Sequence, residues 1–193
     1  MPSVNDVAAF IEQSLGDLSA YKLQKLVYYA QAWSLAWDNK PLFANVIKAW
    51  TNGPVSPELW HDRKSGHRGN PLALSASDAE TVCAVLDFYG PMNADMLIKL
   101  SHREAPWRDA RKGLAPSAVG QEAITHEAMR AYYAPAAAGS EGVKKIPEAV
   151  ARGVALLLAT PETEIDLLYE EEEVDGAAAT AWLEGRGADP WVG

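Results

Sequence analysis

The sequence predicts a mostly α-helical protein: a compact helical domain around a central buried helix, with a small β element and a C-terminal extension. Three observations lead to this prediction. Residues 22–33, KLQKLVYYAQAW, are apolar on both faces of a helix. Helix start and stop residues recur along the first 133 positions. Acidic residues are concentrated beyond residue 160.

The helix predicted over residues 20–37 lacks the polar face of a surface helix. Leu26 and Trp33 fall on one side of it, and Tyr28 falls roughly opposite. A helix that is apolar all round is normally surrounded by neighbours, so we interpret it as the centre of an all-α core. The alternative leaves Tyr28, Tyr29 or Trp33 partly exposed at a partner groove, because tyrosine and tryptophan dominate binding hot spots.

The remaining elements follow from their capping and turn residues. Ser3 and Asp6 form a capping-box-like helix start, and Gly16 ends that helix. Residues 42–50 are rich in β-formers and predict a short strand, followed by a turn at Gly53. Further helices are predicted over 57–66, from Ser75 or Ser77 to about 89, and over 94–104, 106–113, 124–133 and 146–161.

Composition divides the chain into a domain, a linker and an extension. Residues 1–133 form the predicted domain, 134–142 (APAAAGSEG) the linker, and 143–193 an acidic extension. Residues 161–193 contain ten acids and one base, a charge of −9, which equals the net charge of the whole chain. Residues 1–160 therefore balance at 16 acids and 16 bases. Such a tail repels nucleic acid and attracts basic partners.

The compartment expected from the sequence is the cytoplasm. No apolar run reaches the roughly 18 residues of a membrane span. The first ten residues lack the basic and apolar regions of a secretory signal. Cys83 is the only cysteine, so no internal disulfide can form, and we expect it to be a small buried hydrophobe.

The polar clusters do not predict an enzyme, a metal site or a cofactor. His102 and Glu104 are two positions apart and do not share a helix face, so we expect His102 to bond a backbone group and Trp107 to pack in the core. His61 and His67 are six apart and match no zinc motif. The sequence HDRKSGHR, residues 61–68, is either a solvated helix end or a partner contact.

Three motifs carry a family resemblance. They are KLQKLVYYAQAW (22–33), AWTNGPVSPELW (49–60) and LSHREAPWRDAR (100–111). In this order they resemble the Panacea domain, the SocA-like antitoxin family of bacteria, over roughly residues 5–133. The resemblance implies a mostly helical fold with a small β element, an antitoxin that binds and neutralises a toxin, and no catalytic residues. SocA-like function also implies an adaptor that delivers the toxin to the ClpXP protease.

The expected partners are therefore a cognate toxin and ClpXP. Candidate toxin contacts are the exposed aromatic and basic residues of the motifs and their surroundings: Tyr28, Tyr29, Trp50, Trp60, Arg63, Lys64 and Arg68. Candidate protease or partner contacts in the tail are Glu170, Glu171, Glu172, Glu173, Trp182 and Trp191. Two alternatives stay open: a toxin inhibitor that also represses its own gene by binding DNA through residues 61–68 and 103–112, and a small hydrolase.

Overall fold

The computed structural model describes residues 1–138 and 144–159. It confirms a mostly helical fold with a small antiparallel hairpin. The helices are α1 (Val4–Leu15), α2 (Ala20–Trp37), α3 (Pro57–Lys64), α4 (Ala76–Tyr89), α5 (Ala94–Arg103), α6 (Ala105–Ala110), α7 (His126–Ala137) and α8 (Glu148–Ala159). The strands are β1 (Lys48–Trp50) and β2 (Gly53–Val55), and a 3-10 turn spans Pro71–Ala73.

Helix α2 is the central helix of the core, as its sequence predicts. Every residue from 23 to 35 is buried, and the helix packs against α1, α4, α5, α7 and β2. Tyr28, Tyr29 and Trp33 are each 0% exposed. The alternative that left one of these three at a partner groove is therefore wrong.

The start of α1 is the capping box that its sequence predicts. The Ser3 side chain accepts from the backbone N–H of Asp6, and the Asp6 carboxylate accepts from the backbone N–H of Ser3. Asp6 also accepts from the backbone N–H of Asn70, which ties the 3-10 turn to this end of α1. One short side chain thus caps a helix and anchors a distant loop.

The β element is shorter than the strand predicted over 42–50. Only its last three residues form β1, which pairs with β2 in the register Ala49↔Pro54. Residues 42 and 43 turn instead toward α2, where the Gln31 side chain accepts from both of their backbone N–H groups. On the other edge of β1, Ala49 donates to Glu122 and Ile124 donates to Ile47.

Two expectations outside the central core need revision. Cys83 is exposed on α4, because the buried stripe of that helix runs through Val82, Val85 and Leu86 and leaves Cys83 turned to solvent. Helix α7 continues to Ala137, four residues into the predicted linker. Among the described residues, no helix combines the length and the apolar character needed to cross a membrane.

The C-terminal side of the described chain packs on the core. Ile146 is 5% exposed, and Val150 and Val154 lie against the core cluster. Lys144 anchors the start of this segment, since its ammonium bonds Asp38 at 2.8 Å and Thr81 at 2.8 Å. The tail residues proposed as partner contacts, Glu170 to Glu173, Trp182 and Trp191, lie outside the described residues.

Candidate functional site

A shallow groove lies between the first turns of α2 and helix α3. Its volume is about 170 Å³, and its lining is Ala20, Leu23, Gln24, Leu59, Trp60, Arg63 and Lys64. Three of the residues that the sequence singles out for toxin contact therefore meet in one place. The lining is mainly apolar with a cationic rim, which is the composition that a protein-binding surface needs.

Trp60 forms the aromatic wall of this groove. Its ring is 6.4 Å from that of Tyr21 and 6.1 Å, edge-on, from that of Trp50. Trp60 is only 6% exposed, so most of its ring is held by these neighbours. The Lys64 ammonium lies 5.6 Å from the centre of the Trp60 ring, a cation–π arrangement that fixes the rim against the wall.

Arg63 of the rim and the nearby Arg68 differ in how firmly they are held. Arg63 forms an ion pair with Glu12 of α1 in which both side chains are partly buried. Burial, followed by the nearby charge of Arg68, lowers the pKa of Arg63. Arg68 is exposed and donates to the backbone oxygen of His67 at 2.9 Å. The rim thus has a partly buried arginine and a more exposed lysine, and the exposed Arg68 lies near Arg63.

Tyr28 and Tyr29 do not belong to this surface. Both are fully buried, and their hydroxyls donate to the carboxylate of Glu104 at 3.2 and 3.1 Å. Tyr133 of α7 donates to the same carboxylate at 2.6 Å. A partner cannot touch the two tyrosines in this conformation, so they leave the set of candidate toxin contacts.

The first and second motifs meet beneath the groove. The amide of Gln24 pairs with the backbone of Ser56 in both directions, accepting at 2.8 Å and donating at 3.2 Å. The Lys25 ammonium donates to the Pro54 carbonyl at 3.1 Å. These bonds fix the turn that leads into α3, and so they position Trp60 and Lys64.

The third motif joins the same assembly through Ser101 and Trp107. A Cβ built on Gly53 would lie 2.5 Å from Lys25 Cε and 2.9 Å from Ser101 Oγ, so only glycine lets the turn approach both helices. Gly53 also has a φ of +97°, which favours glycine. The indole of Trp107 donates to the Trp50 carbonyl at 2.9 Å.

The buried ionisable groups of this assembly have strongly altered pKa values. Burial lowers the pKa of Lys25 to about 7. Burial, with the charges of Lys25 and Arg111, lowers the pKa of His102 to about 3. Burial raises the pKa of Glu104 to about 7, against the lowering effect of its three tyrosine donors. His102 is thus neutral, while Lys25 and Glu104 both change charge near neutral pH.

His102 has the structural role that the sequence predicts. It hydrogen-bonds the backbone of Thr51 and stacks on Trp107, with ring centres 3.9 Å apart. Glu104 faces the tyrosines, so the two side chains do not act as an acid–base pair. Within the described ranges, no group of three His, Cys, Asp or Glu side chains could hold a metal ion.

The two basic segments considered for DNA binding have different neighbours. Helix α3, which carries Arg63 and Lys64, packs on α1. Helix α6, which carries Arg108, packs on α5, α7 and β1. In the part of the chain that the structure describes, the two segments thus have different main packing partners, and the DNA-binding alternative stays a prediction.

Sequence reasoning missed Gln24, Lys25 and Gln31 as organising residues. All three are 3% exposed or less, and each donates to a backbone carbonyl outside the helices: that of Ser56, of Pro54 in β2, or of Phe43. The available signal is a polar residue on a helix whose two faces are apolar. Such a residue must be hydrogen-bonded if it is buried, and loops supply the free backbone groups.

The chain is similar to one known family. Residues 23–108 match the family model described as Antitoxin SocA-like, Panacea domain. The match begins in α2, ends in α6 and contains the hairpin, α3 and nearly all of the three motifs. The motifs also suggest SocA itself, but the match reaches only the family. No curated protein and no solved structure matches the chain.

Proposed function

We propose that this protein is a cytoplasmic antitoxin that binds its partner toxin directly. The observation that carries the proposal is the match of residues 23–108 to the SocA-like antitoxin domain. The matched region includes the groove between α2 and α3, where an apolar floor meets a cationic rim. The buried side chains of Gln24, Lys25 and Glu104 each form internal hydrogen bonds, which suits a binding scaffold.

The toxin contacts in this proposal are Trp60, Lys64, Arg63 and Arg68, and Trp50 is a supporting residue. Trp60 and Lys64 form the wall and rim of the groove, and Trp50 supports Trp60 from behind. Arg63 is already paired with Glu12, so it orders the rim more than it attracts a partner. An apolar residue of the toxin next to an acidic group would satisfy both the floor and the rim.

The binding test uses the product of the gene adjacent to that of this protein. The two proteins are co-expressed and co-purified, and affinity is measured by calorimetry. Lys64→Glu should weaken the complex at least about tenfold, since it reverses a rim charge beside the aromatic wall. Lys112→Glu is the matched control, because it reverses an exposed lysine charge beyond the end of α6. Equal affinity of both variants would remove the groove from the binding site.

The same proposal includes an adaptor role that presents the toxin to ClpXP. Its support is the family resemblance together with the charge of residues 161–193, which contain ten acids and one base. Two tryptophans, Trp182 and Trp191, lie in this acidic segment and could anchor a protease. The acidic groups would also accelerate association with a basic toxin.

Deletion of residues 161–193 separates binding from delivery. The truncated protein should still bind toxin, while degradation of the toxin by purified ClpXP is lost. If the truncated protein associates with the toxin more slowly, and the difference depends on salt, the acidic residues accelerate association electrostatically. Normal association at low salt together with normal degradation would show that the segment has neither role.

A further inference from the structure

Glu104 is an acid enclosed in the core between two helices. Its side chain follows α5, and its carboxylate accepts from Tyr28 and Tyr29 of α2 and from Tyr133 of α7. The bond to Tyr133 is the shortest of the three, at 2.6 Å. Among the described residues, no ion pair to Glu104 is formed. One carboxylate therefore joins α7 to α2 with no cation to balance its charge.

The ionisable groups that interact with Glu104 come from three helices. Besides its hydrogen bonds to Tyr28 and Tyr29 of α2 and Tyr133 of α7, the charge of Glu104 acts on Tyr89 of α4 and Tyr132 of α7. Tyr89 stacks on Tyr29 with ring centres 3.9 Å apart, which closes the site from the α4 side. The charges of Lys25 and Arg111 act on His102, and that of Arg108 acts on Tyr132.

We propose that the proton on Glu104 is a latch on α7: the helix is held against α2 more tightly when the carboxyl is protonated and loosens when it ionises. Moving α7 away removes Tyr133 and admits water to the carboxyl. In water the carboxyl ionises with its ordinary pKa of 4.5, whereas in the closed core its pKa is about 7. The latch is independent of the toxin proposal, since it concerns only the packing of the free protein.

The direction of the pH effect follows from proton counting. Between pH 4.5 and 7 the closed state holds a proton that the open state has lost. The closed state therefore loses stability relative to the open state as pH rises through this interval, by up to about tenfold in the opening equilibrium per pH unit. Above about pH 8 neither state holds the proton, and the effect levels off.

Hydrogen exchange of the α7 backbone amides, residues 126–137 without Pro135, tests the latch in the full-length protein. Protection factors, which are corrected for the intrinsic pH dependence of exchange, are measured from pH 5.5 to 8.5. They should fall by up to about tenfold per unit as far as pH 7 and then flatten. In Glu104→Gln, a neutral stand-in for the protonated acid, they should not change with pH. A flat wild-type profile, or the same slope in Glu104→Gln, would overturn the proposal.

Two further variants keep the test decisive. His126→Asn removes the histidine of α7, whose pKa is lowered by burial and by Arg130, and whose effect on stability has the opposite sign. The fall in protection should persist in this variant, and its disappearance would contradict the assignment to Glu104. Tyr133→Phe removes the shortest hydrogen bond to the carboxylate. It should lower the protection factors of the α7 amides more at pH 8 than at pH 5.5. An equal cost at both values would overturn the latch even if Glu104→Gln failed to fold.

Discussion

Helices α2 and α3 both carry aromatic and basic residues, but they use them in opposite ways. In α2, residues 23–35 are all buried, so Tyr28, Tyr29, Lys25 and two glutamines lie inside the protein. In α3 only Leu59 and Trp60 are buried, and the last turn presents Lys64 to solvent. The same residue types therefore build the scaffold in one helix and the candidate binding surface in the other.

The difference teaches that burial of a polar residue depends on an available partner. Gln24 and Gln31 remain inside because the backbones of Ser56 and Phe43 satisfy their amides. Lys25 remains inside because the Pro54 carbonyl accepts from it. At the end of α3, Arg63 instead pairs with Glu12, and Lys64 lies over the face of Trp60. Variants of the two helices should therefore differ in kind, and the following tests run from the largest expected effect to the smallest.

Trp33→Ala should cause the largest loss of stability. Trp33 is 0% exposed, stacks on Trp37 and donates from its indole to the Tyr89 hydroxyl at 3.2 Å. Removing such a side chain leaves a cavity and should cost about 3–5 kcal/mol in the free energy of unfolding by urea. Leu72→Ala is the control, since Leu72 is 84% exposed. A Trp33→Ala variant with unchanged stability and lost toxin binding would mean that α2 is a binding helix after all.

The sequence predicts the burial of Trp33 because periodicity reports how many faces of a helix are apolar. Periodicity therefore predicts α2 as the centre of the core. The residue types predict the capping box at Ser3 and the polar patch at the end of α3. The sequence could not assign Glu104 to Tyr28 and Tyr29, because these bonds join positions 75 and 76 residues apart. The prediction that Cys83 is buried is wrong for a local reason. On α4, a shift of one position along the sequence decides whether a side chain faces the core or the solvent.

Lys25→Met tests whether α2 really holds a buried cation. In the folded protein Lys25 loses its proton at about pH 7, and in the unfolded chain only near 10.5. Between these values the unfolded state binds the extra proton, so wild-type stability should rise with pH, by up to about 1.4 kcal/mol per unit. Urea unfolding at pH 7, 8 and 9 measures this slope.

The methionine variant should lack that slope. Its absolute stability is a poorer measure, because methionine also leaves the Pro54 carbonyl without its donor. The contribution of Glu104 levels off by about pH 8, so the slope between pH 8 and 9 is the part that belongs to Lys25. If the slope were the same in Lys25→Met, another group would be responsible, and the contrast between the inward lysine of α2 and the outward lysine of α3 would weaken.

Gly53→Ala tests the contact between α2 and the turn that leads to α3. Both Gly53 and Gly66 have positive φ, so alanine at either position should cost about 1 kcal/mol of backbone strain. Only at Gly53 would the new Cβ also meet Lys25 and Ser101, since nothing lies within 4 Å at Gly66. Overpacking should therefore add about 1–3 kcal/mol at Gly53. Equal melting curves for Gly53→Ala and Gly66→Ala would show that the turn can move away from α2.

The smallest effects should come from the two neighbouring cations of α3. Arg63→Glu places a second carboxylate against Glu12 in a partly buried site and should cost about 1 kcal/mol. Lys64→Glu replaces an exposed cation and should change stability by less than about 0.5 kcal/mol. Urea unfolding of both variants measures the difference, and equal losses would mean that the partly buried arginine and the exposed lysine of the rim contribute equally to stability. Because Lys64→Glu should leave the fold intact, a loss of toxin binding by that variant can be attributed to the surface of α3 rather than to the core built on α2.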